Sequence, residues 1–198
     1  NYEIDTVAPA APAITSIAGN DKINDSEKGA VVIIGTAEAN ATISGSLTGT
    51  GGPVTVSGSA DGSGSFSITV DASGLTDGTL SLSITATDAA GNISTAGTSS
   101  AEKDTAAPVI STVTSNATGA GVLKVGDTIT FTVTMNARED GLVIAPTTYN
   151  GGTLSWSTAD SGAIYTATYT VAEGQTDQGT ALQLTGVTAT DTFGNTSA

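Results

Sequence analysis

Two short motifs recur along this chain in the same order and at nearly the same spacing. Asp5-Thr6-Val7-Ala8-Pro9 returns as Asp104-Thr105-Ala106-Ala107-Pro108. Asp88-Ala89-Ala90-Gly91-Asn92-Ile93-Ser94 returns as Asp191-Thr192-Phe193-Gly194-Asn195-Thr196-Ser197. Both repeats fall at about a hundred residues. That period excludes the short solenoid repeats and fits one complete β-domain per copy. The 198 residues therefore divide into two homologous units, 1–103 and 104–198.

Within each unit apolar residues alternate with Ser or Thr, and the alternation is broken by Gly, Asn and Asp. Phe66-Ser67-Ile68-Thr69-Val70, Ile129-Thr130-Phe131-Thr132-Val133-Thr134-Met135 and Tyr165-Thr166-Ala167-Thr168-Tyr169-Thr170-Val171 all run with period two. Such segments are half-buried strands, apolar face in and hydroxyl face out. No segment carries a helical stripe. Unit 1 is expected to hold seven strands, near 12–18, 30–36, 41–48, 53–58, 65–70, 79–88 and 94–103. Unit 2 is expected to hold six, near 107–114, 127–136, 142–146, 153–157, 163–172 and 180–190. The fold class is all-β: two tandem Ig-like antiparallel sandwiches joined by a short linker. The seventh strand of unit 2 should follow Asn195, so it is expected to be missing from this chain or supplied by something else. The first residues, Asn1-Tyr2-Glu3-Ile4-Asp5, start mid-pattern and read as a fragment of a longer protein.

Composition narrows the chemistry. The chain carries 19 acidic against 5 basic residues, a net charge of −14, and neither Cys nor His. Five scattered cations make no basic patch for nucleic acid, and an anionic membrane surface repels such a chain. Thiolate and imidazole chemistry are excluded, so a bound metal would be held by oxygen alone, which suits a hard cation such as Ca2+. No apolar run is long enough for a transmembrane helix. Asp127 and Glu173 form a carboxylate pair of the kind used in glycoside hydrolysis, but no apolar cleft is indicated to raise one pKa, and no enzyme is expected.

The acids concentrate at the seams. Residues i and i+2 of an extended segment point to one side. Glu102 and Asp104 thus aim two carboxylates one way while Lys103 points away, and Glu3 and Asp5 repeat the pattern. Carboxylates this close repel unless a cation sits between them. In a seven-stranded Ig-like sandwich the Asp-x-x-Gly-Asn motif occupies the F–G loop, at the end where strand A begins. Asp88 and Asn92 should then lie near Glu3 and Asp5, and Asp191 and Asn195 near Glu102 and Asp104. The A–B and E–F loops at the opposite end of unit 1 bring Asp21 and Asp77 to the same seam. These ten residues are the candidate ligands for Ca2+. Taken alone, the Asp-x-x-Gly-Asn motif reads as a turn built on Asx and Gly chemistry. Trp156 reads as a sugar-stacking platform or as a core or semi-exposed strand residue.

The motifs also carry a resemblance. Asp5 to Pro9, Asp21-Lys22-Ile23-Asn24 with Glu27, Gly64-Ser65-Phe66-Ser67, Leu75-Thr76-Asp77-Gly78-Thr79 and Ala86 to Asn92 make unit 1 resemble the bacterial Ig-like domains strung along giant secreted adhesins of the RTX or biofilm type. Asp104 to Pro108, Val125-Gly126-Asp127-Thr128-Ile129, Tyr169 to Gly174 and Asp191 to Asn195 make unit 2 similar to a sister type. Phe66 stands where unit 1's type often has Trp, which implies a lighter core. The resemblance implies type I secretion, a place in a long stalk at the bacterial surface, and Ca2+ at or near domain joints. On this reading the chain is a monomeric structural extender whose partners are neighbouring Ig-like domains of the same chain. The alternative is a ligand-binding module contacting a glycan or surface protein through Trp156, Tyr149 and Phe193. Neither nucleic acid nor direct membrane insertion is expected.

Overall fold

A computed structural model describes residues 4–117, 122–176 and 182–198. It divides into two compact units, Asn1–Ala106 and Ala107–Ala198. The division falls three residues beyond the one expected, because Thr105 is still hydrogen-bonded to Asp77 of unit 1. Every regular element among the described residues is a strand.

Unit 1 is a two-sheet sandwich. One sheet has the order β1 (Ala13–Ile17), β3 (Val31–Thr36), β6 (Ser65–Val70). The other has the order β2 (Lys22–Ile23), β8 (Gly97–Lys103), β7 (Gly78–Thr87), β4 (Thr42–Gly49), β5 (Gly52–Ser59). The alternation in the sequence is the alternation of burial. In β6, Phe66, Ile68 and Val70 are buried while Ser65, Ser67 and Thr69 face solvent. In β7, Leu80, Leu82, Ile84 and Ala86 point inward. The inner faces meet in one core with Ile17, Ile23, Ile33, Ile43 and Leu47 fully buried. Each such side chain contributes roughly 1.5–3 kcal/mol relative to exposure. The seven expected strands are all present. The eighth, β2, lies in the stretch read as an open A–B loop. It is only two residues long, too short for periodicity to reveal. It pairs parallel to β8, Lys22 opposite Glu102 and Ile23 opposite Lys103.

Unit 2 has a sheet of order β14 (Ser157–Thr158), β15 (Ile164–Thr170), β10 (Thr128–Met135), β9 (Ile110–Ser115). A second pair joins β11 (Val143–Ala145) to β16 (Thr188–Thr190), and β12 (Thr148–Tyr149) pairs with β13 (Gly152–Thr153) in a hairpin. The strand expected at 153–157 is not continuous. Its two ends belong to β13 and β14, because Trp156 turns its indole N–H onto the Pro146 carbonyl at 2.9 Å. Of the strand expected at 180–190 only the last three residues form one, β16; residues 182–187 are not strand, and residues 180 and 181 lie outside the described residues. Phe131 is fully buried, and Tyr149 meets it and Tyr169 edge-on, at centroid distances of 4.9 and 5.2 Å. Trp156 is half-buried and packs against both apolar clusters of unit 2.

Candidate functional site

The two Asp-x-x-Gly-Asn turns are built alike, bond for bond. In unit 1 the Asp88 carboxylate accepts from the Asn92 backbone N–H and from its side-chain amide, both at 2.8 Å. In unit 2 the Asp191 carboxylate accepts from the same two groups of Asn195, at 2.9 and 2.8 Å, and from the Phe193 N–H at 2.8 Å. Gly91 and Gly194 hold φ of 92° and 94°, a conformation that costs other residues steric strain. Downstream, the Ser94 hydroxyl accepts from the Ala86 N–H, and Ser197 accepts from Ala189, each at 2.9 Å. These serines are buried. They complete the motif as Asp-x-x-Gly-Asn-x-Ser, and their recurrence at the same offset was the signal available in the sequence. The bonds from Asn92 hold the Asp88 carboxyl below the usual range despite its partial burial.

At the head of unit 1 the Asn92 amide also donates to the Asp5 carbonyl at 3.3 Å. Asp5, Asp88 and Asn92 therefore share one end of the unit. Glu3 lies outside the described residues. The Asp5 carboxylate accepts from the Val7 N–H at 3.0 Å, a local Asx turn.

The foot of unit 1 gathers four of the other candidates. Pairing of β2 with β8 brings the Glu102 N–H to the Asp21 carbonyl at 2.9 Å and the Asp104 N–H to the Ile23 carbonyl at 3.0 Å. The side chains are then directed differently. The Asp21 carboxylate accepts from the Ile17 N–H, Glu102 from the Thr79 hydroxyl, and Asp104 from the Ala106 N–H. Asp77 accepts from the Thr105 N–H and hydroxyl and from the Lys103 ammonium, at 3.0 to 3.1 Å. Lys103 points away from Glu102 and Asp104, into the unit; it is only 5% exposed. Its second partner is the Leu75 carbonyl at 2.7 Å. Burial pushes the Asp77 carboxyl up, but the Thr105 N–H and the Lys103 ammonium outweigh it and hold the group below its ordinary range.

Unit 2 carries Asp191 and Asn195, both buried. Among the described residues, no three acidic side chains are gathered closely enough to hold a metal by themselves. What the head and the foot of unit 1 each present is a set of oxygen donors, carboxylate and carbonyl, of the type that hard cations take. Phe193 is half-buried in its turn.

Residues 8–103 match the family described as Bacterial Ig domain, and residues 104–198 match the family described as Bacterial Ig-like domain. The chain is thus a pair of tandem bacterial Ig-like domains. No curated protein matches it. A solved structure concerned with host cell surface retention of a 1.5-MDa bacterial ice-binding adhesin is similar at 25% identity. The match covers 94% of this chain and 61% of that one, with a TM-score of 0.44.

Proposed function

We propose that this pair is an extender segment of a large adhesin at the bacterial surface, with Ca2+ bound where its domains join their neighbours. The observation that carries the reading is the separation of donors within unit 1. Asp5, Asp88 and Asn92 stand at its head; Asp21, Asp77, Glu102 and Asp104 stand at its foot. β7 spans the distance between, ten residues or about 34 Å of strand. A unit built this way receives the chain at one end and releases it at the other, as a stalk requires. Donors at each end, incomplete alone, are to be completed by those of a neighbouring domain. Calcium at a hundred times its dissociation constant would stabilise each bound joint by about 2.7 kcal/mol.

Calorimetric titration of the chelator-stripped chain with Ca2+, with Mg2+ as control, tests the metal. Saturable, calcium-selective heat that Asp104→Ala abolishes supports it. Absence of heat at several temperatures removes calcium from the reading.

A second reading, a binding module, rests on an open surface depression of about 420 Å3 in unit 2, lined by Asn150, Gly151 and residues 172–176. Its polar lining, with Glu173 and Gln175, suits a glycan. Binding on a glycan array that Glu173→Ala removes would favour it.

A further inference from the structure

We propose that Lys103, Asp77 and Thr105 form a load-bearing latch at the foot of unit 1, one that transmits tension from the departing chain into the sheet. The inference rests on the stalk reading and adds to it the place where force enters the fold.

A buried lysine is costly unless its ammonium is hydrogen-bonded. Lys103 meets that cost with the Leu75 carbonyl at 2.7 Å and Asp77 at 3.0 Å. Both partners belong to the turn that leads into β7. Asp77 then reaches past Lys103 to Thr105, accepting from its N–H and hydroxyl. One carboxylate thus ties the last residue of β8 and the second residue beyond it to the start of β7.

This position matters because of how the strands run. β8 is antiparallel to β7, with Lys103 opposite Gly78, and parallel to β2. Tension along the chain between the head and the foot pulls β8 lengthwise against both neighbours. A ladder loaded lengthwise must break many bonds together; a ladder whose end is pulled sideways opens one bond at a time. Asp104 and Thr105 are the residues at which sideways peeling would begin. Anchoring Thr105 to Asp77, and Lys103 beneath it, keeps the load aligned with the strand.

Single-molecule force spectroscopy on the full chain tests this, with unit 2's unfolding event as internal reference. The chain has no native cysteine, so introduced ones are unique handles. Pulled from terminus to terminus, Thr105→Val should raise unit 1's unfolding rate at fixed load about ten-fold. Lys103→Met should raise it further. Pulled instead between Ile4→Cys and Ala90→Cys, both at the head, Thr105→Val should unfold at the wild-type rate, because the latch is then off the load path. A wild-type unit 1 that resists load, with variants equally resistant in the axial geometry, overturns the latch alone. Equal losses in both geometries also overturn it, by reducing the trio to ordinary stability. A wild-type unit 1 that opens at the lowest measurable load overturns the stalk reading itself.

Discussion

Asp88 holds Asn92 at two points, its backbone N–H and its side-chain amide, both at 2.8 Å. The carboxylate therefore closes a turn before it does anything else. Asp191 and Asn195 repeat the arrangement in unit 2. What the sequence presents as a recurring acidic motif is first a recurring piece of backbone architecture.

That commitment makes Asp191 a stability residue. Asp191→Ala removes the carboxylate that accepts from the Phe193 and Asn195 N–H groups and from the Asn195 amide, in a site where Asp191 and Asn195 are both buried. The expected cost is about 2–3 kcal/mol, or a fall in unit 2's melting temperature of roughly 10 °C or more for a domain of this size. Trp156 is the chain's single tryptophan and lies in unit 2, so its emission reports that transition. A shift below one degree would show that the turn does not depend on the carboxylate.

Acid should weaken unit 1 through Asp77. Its carboxyl is held below the ordinary range in the folded state by Thr105 and Lys103, against the upward push of burial. A lowered folded pKa gives stability that is fully present above the unfolded value, about 3.9, and is lost as pH falls through the folded value. Asp77→Asn should therefore be less stable than wild type at pH 7, and the gap should close as the pH drops below about 4. Urea midpoints by circular dichroism from pH 7 to pH 2.5 measure it. A gap independent of pH would mean that Asp77 contributes through shape and not charge.

Legibility followed the length of each signal. β6 and β10 alternate over six and eight residues, and their burial could be read directly. β2 and the β12–β13 hairpin have two-residue strands, which leave no period to detect. The two-residue period of an extended chain points Lys103 away from its acidic neighbours, and the structure has it so. Its destination, the Leu75 carbonyl, depends on a turn 28 residues back, and local sequence holds no record of that distance. Ser94 and Ser197 were legible in principle, since they recur with the motif. Their role emerges only when the hydroxyl is seen under the Ala86 and Ala189 N–H groups.

Gly97 offers a test of how closely the two sheets of unit 1 approach. A Cβ at this position would lie 2.0 Å from the Pro12 carbonyl oxygen and 3.0 Å from its carbon. Both are backbone atoms and cannot swing aside like the end of a side chain. Backbone entropy favours alanine over glycine within a strand by roughly 0.5–1 kcal/mol, so propensity and packing predict opposite signs. Packing should win: overfilled sites cost about 1–3 kcal/mol, and Gly97→Ala should lower unit 1's urea midpoint accordingly. Gly74→Ala is the matched control, because a Cβ there meets nothing within 4 Å and should leave stability unchanged or slightly raised. If Gly97→Ala unfolds at the wild-type midpoint while the control behaves as expected, Pro12 must yield at little cost, and β8 does not depend on a glycine to pass beneath the start of β1.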